Sequence, residues 1–160
     1  MNFEVVKLEG LSGKETSIYT VFVEELETTL FDRFLLENAQ NYPVEIQNLI
    51  DRLETIAHNT GARNNFFREK EGKPGDGVCA LFDIPDHNLR LYCIRYGMNL
   101  VILGGGGEKN VQAWQDDEKL SEEAKLMIKI SKEIYQRQLD GDIKFINDGK
   151  DFEGDLIFEK

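Results

Sequence analysis

The hydrophobic pattern of residues 78–109 predicts three short strands in a row. Apolar runs cover 78–82, 89–96 and 100–103, and the breaks between them carry the proline, glycine and asparagine that turns select. Connections this short join antiparallel strands, because a parallel pair needs a crossover of a dozen or more residues. We therefore predict a three-stranded antiparallel meander at the centre of the fold.

The middle strand of this meander alternates between two faces. Leu89, Leu91 and Cys93 fall on one face, whereas Arg90 and Tyr92 share the other. Arg95 falls on the face opposite to Arg90 if the register holds. A strand that presents arginine and tyrosine together forms either a solvated face or the floor of a site.

Two further strands are predicted before the meander, at 3–8 and 17–23, where β-branched and aromatic residues are frequent. Together they would form an N-terminal hairpin. The sequence of segment 143–160 predicts two more strands, one on each side of the turn Asn147-Asp148-Gly149.

Apolar residues three and four positions apart predict three helices. The first covers 30–39, and the second begins at Pro43 and ends before Gly61. The third runs from Ser121, as its N-cap, to about Leu139. The predicted fold class is α+β, an antiparallel sheet flanked by helices, in one domain (1–160) with a C-terminal extension at 143–160.

Charge is distributed unevenly along the chain. The formal net charge is −11, but segment 61–110 carries seven lysine and arginine residues against six aspartate and glutamate residues. The near-neutral centre therefore indicates a functional basic patch within an acidic body. No apolar run approaches the ~20 residues that span a bilayer, and the N-terminus lacks the pattern of a secretory signal. We expect a cytoplasmic protein without membrane contact, with Cys79 and Cys93 as buried free thiols.

The glycine run before Lys109 suggests one candidate chemistry. Four glycines at 104–107 follow a strand, as in a phosphate-binding loop, but Asn110 stands where a Walker A motif needs serine or threonine. A glycine bulge or a flat strand end is the favoured interpretation. No metal-ligand spacing or cofactor motif is present. His87 could act as a proton shuttle, although an exposed turn histidine is favoured.

The remaining candidates are basic residues and one tyrosine. RNA cleavage without a metal ion needs cations that hold the scissile phosphate and a group that takes the proton of the 2′-hydroxyl. Ordinary solvated surface charge is the alternative for each residue. The candidates are Arg68, Lys70, Lys73, Arg90, Tyr92, Arg95 and Lys109.

The order of elements resembles a known family. The elements are two amphipathic helices, a loop with Phe-Phe-Arg, the meander with Leu-Arg-Leu-Tyr-Cys-Ile-Arg-Tyr, the run Gly-Gly-Gly-Gly-Glu-Lys and a final helix. Their order resembles that of the RelE/ParE superfamily, including HigB-like toxins. This resemblance implies a RelE-like α+β fold and ribosome-dependent mRNA cleavage that yields a 2′,3′-cyclic phosphate. It also implies neutralisation by a cognate antitoxin protein. ParE-type members poison gyrase instead, so the resemblance leaves the target open.

Within this resemblance, Arg90 matches the arginine of the second meander strand and Lys109 the basic residue after the last strand. Arg68 and Lys70 match the basic loop before the sheet, with Lys73 and Arg95 as further substrate-binding candidates. Arg90, Tyr92 and Lys109 are the predicted catalytic residues, with Tyr92 as the proton-transfer group. A non-catalytic protein-binding module of the same fold is the alternative, which the acidic balance favours. A homodimer through a sheet edge or the C-terminal strands is a further expectation.

Overall fold

The computed structural model describes residues 1–68, 76–109 and 117–159. These residues form an α+β fold with an eight-stranded mixed sheet, a separate two-stranded hairpin and three α-helices. The strands are β1 (Phe3–Lys7), β2 (Ser17–Val23), β3 (Thr28–Thr29), β4 (Phe67–Arg68), β5 (Val78–Phe82), β6 (Leu89–Tyr96), β7 (Leu100–Glu108), β8 (Ile143–Ile146), β9 (Asp151–Gly154) and β10 (Ile157–Phe158). The helices are α1 (Leu30–Asn38), α2 (Pro43–Thr55) and α3 (Glu118–Leu139).

The large sheet has the strand order β10-β1-β2-β7-β6-β5-β4, with β3 paired to β2. β5, β6 and β7 are antiparallel neighbours and β1 pairs antiparallel with β2, so the predicted meander and N-terminal hairpin are both confirmed. The predicted α+β class is confirmed, but the predicted antiparallel sheet is only mostly antiparallel, because β2 and β7 run parallel. The chain between β2 and β7 includes α1, α2 and the first two meander strands. This long connection provides the crossover that a parallel pair of strands requires.

Helices cover both faces of the sheet. On one face, α1 and α2 pack against side chains such as Leu89, Leu91 and Cys93. On the other face, Met127, Ile130 and other α3 residues pack with the side chains of β1, β2, β5 and β6 and with the β8–β9 hairpin. Each strand of the meander therefore contributes alternate residues to two separate cores.

The helix boundaries follow the predicted pattern closely, with one correction. Pro43 occupies the first turn of α2, a π-helical turn (Ile56–Thr60) continues that helix, and Gly61 follows it with φ +79°. Ser121 is not the N-cap of α3, because the helix begins three residues earlier. Asp117 caps it, its carboxylate accepting a hydrogen bond from the Leu120 N–H at 3.1 Å.

The C-terminal segment forms the small sheet and one edge strand of the large sheet. β8 and β9 form the predicted hairpin, and β10 then pairs with β1 at the edge of the large sheet. No α-helix in the described ranges combines the length and apolar character needed to cross a membrane.

Candidate functional site

The candidate site lies at the end of the large sheet where β5 ends and β6 begins. Phe82 pairs with Arg90 across β5 and β6, and Arg90 pairs with Gly107 on β7. Residues directly opposite each other on adjacent strands point to the same face of a sheet. The side chains of Phe82 and Arg90 therefore lie side by side on the face that α3 covers.

The ring of Phe82 brings three polar side chains together. Its centroid lies 5.0 Å from the guanidinium carbon of Arg90, 5.5 Å from Nζ of Lys109 and 5.3 Å from the imidazole centroid of His87. The backbone N–H of Lys109 donates to the Asn88 carbonyl at 2.8 Å, which fixes the end of β7 beside the turn that holds His87. Cations within about 6 Å of a ring centroid are attracted by its electrons. Arg90 and Lys109, on different strands, thus meet at one aromatic ring.

A cleft of about 270 Å³ opens beside this ring, at the β4 edge of the sheet. Among the described residues its lining includes three cationic side chains, three aromatic rings and an imidazole, but no carboxylate. The cations are Arg52, Arg68 and Lys109, and the rings are those of Phe66, Phe67 and Phe82. In a chain with a net charge of −11, this is a local reversal of charge.

Arg52 lies on α2 and its side chain lines the cleft. It was not among the site residues predicted from the sequence. Its guanidinium carbon lies 5.2 Å from the centroid of Phe66, and its Nε atom is buried without a hydrogen-bond partner in the described chain. Burial lowers the pKa of Arg52, and the charge of Asp83 acts in the opposite direction. Arginine nevertheless stays protonated in proteins, so Arg52 is a partly buried cation at the wall of the cleft.

Tyr92 lies beneath Arg90 and is almost fully buried, with 2% of its surface exposed. Its hydroxyl oxygen accepts a hydrogen bond from Nη1 of Arg90 at 3.3 Å. In this arrangement Tyr92 orients the arginine and does not itself face the cleft. Its predicted role in proton transfer stays a prediction.

The acidic neighbour of Lys109 is engaged elsewhere. Glu108 pairs with Tyr42, and the hydrogen bond between them, with smaller contributions from burial and nearby carboxylates, raises the pKa of Tyr42 to about 12. The Tyr42 hydroxyl therefore stays protonated at neutral pH. This interaction draws the Glu108 carboxylate toward the α1–α2 turn.

The other predicted substrate-binding residues fall in different places. Arg68 is exposed on β4 and lines the cleft beside Phe67. Arg95 lies on the opposite face, where its Nε donates to the Ala62 carbonyl at 2.8 Å and its guanidinium also donates to Asn64. It therefore anchors the segment before β4 to the sheet. Lys70 and Lys73 lie outside the described residues.

The glycine run is part of β7 and does not form a phosphate-binding loop. A Cβ atom at Gly106 would overlap the carbonyl oxygen of Arg90, and one at Gly105 would overlap the ion pair between Arg33 of α1 and Glu123 of α3. The strand register also shifts between Leu91 and Cys93, opposite this run. The glycines thus permit close packing on β7, which agrees with the favoured interpretation of a glycine bulge.

The sequence predicts Arg90, Lys109 and Arg68 as site residues but gives little weight to three other side chains that lie close to them. For His87 the sequence favours an exposed turn histidine over a proton shuttle, and it shows Phe82 only as the end of an apolar strand. Arg52 gave no signal, because an arginine on the flank of an amphipathic helix is ordinarily solvated. Only the three-dimensional arrangement places these side chains around one cleft.

The described residues contain no group of three or more His, Cys, Asp or Glu side chains placed to hold a metal ion. No family model, curated protein or solved structure matches the chain.

Proposed function

We propose that the protein is a ribosome-associated endoribonuclease that cleaves mRNA without a metal ion, as the toxin of a bacterial toxin–antitoxin pair. The observation that carries this proposal is the convergence of Arg90 and Lys109 on Phe82, beside a cleft lined by further cations and aromatic rings. The resemblance of the sequence to the RelE/ParE superfamily suggests the toxin part of the proposal, with a cognate antitoxin protein as partner and the cytoplasm as the place of action.

The composition of the cleft suits a single-stranded nucleic acid. Proteins bind such strands by combining cations that follow the phosphates with aromatic rings on which bases stack. In this cleft the rings of Phe66 and Phe82 lie beside Arg52, Arg68 and Lys109. Phe66 is half-buried, so part of its ring faces solvent and is available to a base.

The reaction requires a base, a cationic cradle and a leaving group. In the proposed mechanism His87 takes the proton of the 2′-hydroxyl, whose oxygen then attacks the adjacent phosphorus. Arg90 and Lys109 stabilise the added negative charge on the phosphate oxygens. The bond to the 5′-oxygen breaks, and that oxygen receives a proton from the imidazolium or from water. The products are a 2′,3′-cyclic phosphate and a 5′-hydroxyl end.

The test compares induced expression of the wild type and of the variant Arg90→Gln/Lys109→Gln, with primer extension on cellular mRNA. Glutamine keeps most of the side-chain stem of each residue, so packing on Phe82 is largely retained. The charge-matched control is Lys125→Gln/Lys129→Gln, which removes two exposed cations from α3. Circular dichroism of each purified protein checks that it is folded.

The proposal predicts growth arrest and new mRNA ends for the wild type and the control, and the loss of both in Arg90→Gln/Lys109→Gln. Arrest without new mRNA ends would point to another target, such as gyrase. No arrest from abundant, folded wild-type protein would favour the non-catalytic binding module, an alternative supported by the burial of Tyr92 and the net charge of −11.

A further inference from the structure

A second surface lies at the other end of the large sheet, formed by β10, β1 and β2. Ile157 pairs with Glu4, and Glu4 pairs with Phe22, so these three side chains form one row on one face. Phe3 and Val5 alternate with them and are buried on the other face. Ile157 and Phe22 are 49% and 37% exposed. The row therefore presents apolar surface that α1 and α2 leave uncovered.

This row forms the floor of a groove of about 220 Å³ with an acidic rim. Glu4, Glu24 and Glu159 line it together with Phe22 and Ile157. Across the described ranges, no lysine or arginine forms an ion pair with any of these three glutamates. Glu24 Oε2 accepts a hydrogen bond from Nδ2 of Asn2 at 3.1 Å, which leaves its negative charge without a cationic partner among the described residues. All three carboxylates can therefore attract cations from outside the chain.

The edge of the sheet next to the groove is already occupied. Nη1 of Arg137 donates to the carbonyl oxygens of Asp155 and Ile157 at 2.8 and 2.6 Å, and its guanidinium carbon lies 3.7 Å from the centroid of Phe158. A partner strand that bonded to these carbonyls would have to displace Arg137. A ligand is therefore expected to lie across the face of the groove and insert a side chain, without adding a strand to the sheet.

We propose that this groove binds a basic segment of a partner polypeptide. Lysine or arginine side chains of the segment pair with Glu4, Glu24 and Glu159, and an apolar side chain between them contacts Phe22 and Ile157. Charge selects this occupant, because the same carboxylates repel nucleic acid and a second copy of a chain with a net charge of −11. This inference does not depend on the proposed nuclease activity, since the cationic cleft lies at the opposite end of the strand order.

The experiment measures fluorescence anisotropy of a labelled peptide of alternating lysine and leucine, at physiological ionic strength. The groove variants are Glu4→Gln/Glu159→Gln and Phe22→Thr, in which threonine supplies a β-branched side chain that suits a strand. The control Glu54→Gln/Glu122→Gln removes two exposed carboxylates elsewhere. Circular dichroism confirms that each variant is folded.

We expect the charge variant to weaken binding about tenfold and Phe22→Thr about fivefold, with less than about a twofold change in the control. Amide shifts in NMR spectra of the wild type should change at residues 2–4, 22–24 and 157–159. An equal loss in the control would overturn the proposal, because binding would then reflect net charge alone. Equally strong binding of a peptide of alternating glutamate and leucine, or no effect of Phe22→Thr, would also overturn it.

Discussion

At the scale of single residues, the candidate site depends on how Arg90 is held. Its guanidinium lies over Phe82 and donates to the buried hydroxyl of Tyr92 at 3.3 Å. Its own main-chain carbonyl lies against Gly106. The first two contacts hold the guanidinium and the third holds the backbone of Arg90. A cation that is fixed in position before the reaction stabilises charge that develops during it.

The substitution Tyr92→Phe separates a positioning role from proton transfer. Removing the hydroxyl takes away a hydrogen bond to a charged group, so we expect kcat for RNA cleavage to fall about tenfold. If Tyr92 only positions Arg90, the pH profile of kcat keeps its shape and KM changes little. The measurement is cleavage of a labelled mRNA on purified ribosomes across a range of pH. Loss of one limb of the pH profile would instead assign proton transfer to Tyr92.

Gly106→Ala tests the close contact between β7 and β6. An added Cβ atom would overlap the Arg90 carbonyl oxygen, so the two strands would have to separate next to the site. We expect the free energy of unfolding, measured in urea, to fall by about 3 kcal/mol. Gly10→Ala is the matched control, because nothing lies within 4 Å of its added Cβ. Similar stability of both variants would show that β7 tolerates the extra atom.

The sequence allowed part of this residue-scale arrangement to be predicted. Strand alternation placed Arg90 and Tyr92 on one face and Arg95 on the other, as observed. Alternation reports which face a residue occupies but not whether a helix covers that face. The burial of Tyr92 and the approach of Arg52 and His87 to the same cleft depend on how helices and turns pack, for which the local sequence carries no signal.

At the scale of elements, the carboxylate of Asp151 is one of the groups that attach the β8–β9 hairpin to the large sheet, beside the packing of Phe152 on Tyr19 and Tyr96. Asp151 accepts hydrogen bonds from Nζ of Lys7 at 2.8 Å, from Asn147 at 2.9 Å and from the Tyr19 hydroxyl at 3.2 Å. Burial opposes ionisation of Asp151, but these hydrogen bonds and the charge of Lys7 outweigh it and lower the pKa of Asp151. The hydrogen bond with Asp151 also raises the pKa of Lys7, although burial of the lysine opposes this shift.

Asp151→Asn should therefore destabilise the protein in a pH-dependent way. A carboxyl group with a lowered pKa contributes stability above its unfolded value of about 3.9 and loses it as pH falls through the lower folded value. We expect the variant to lose about 2 kcal/mol of unfolding free energy at pH 7. The difference from the wild type should shrink as pH falls below the unfolded value, and it should vanish only below the lower folded pKa.

Urea unfolding at several pH values measures this effect. Asp148→Asn, in the same hairpin turn, is the control, since its exposed side chain makes no hydrogen bond or ion pair with the described residues. A constant difference between Asp151→Asn and the wild type at all pH values would contradict the assignment to the ionised carboxylate.

The same elements show where sequence-based prediction reaches its limit. Local periodicity and turn residues defined the meander, α1, α2 and the β8–β9 hairpin. The parallel pairing of β2 with β7 and the pairing of β10 with β1 join residues far apart in the chain. Such pairings depend on which apolar faces are buried together in the folded protein. In addition, a strand as short as β10 has too few residues to show a hydrophobic alternation.

At the scale of the whole molecule, the acidic surface opposes the proposed substrate. A chain with a net charge of −11 repels RNA at long range, whereas the cleft at the β4 edge attracts phosphate at short range. Binding should therefore depend on contacts inside the cleft and not on overall charge. For single-stranded nucleic acid, the logarithm of the binding constant falls with the logarithm of salt concentration, with a slope of about −0.7 per phosphate contact.

The salt dependence of binding tests this separation of local from overall charge. The ligand is 2′-O-methyl oligouridine, which lacks the nucleophilic hydroxyl and cannot be cleaved by the proposed reaction. We expect Arg52→Gln/Arg68→Gln to weaken its binding and to make the slope shallower by about 1.4, as two phosphate contacts are lost. Lys125→Gln/Lys129→Gln changes the net charge by the same amount but should leave the slope unchanged. Equal effects of the two variants would place the RNA on the general surface and remove the cleft as its binding site.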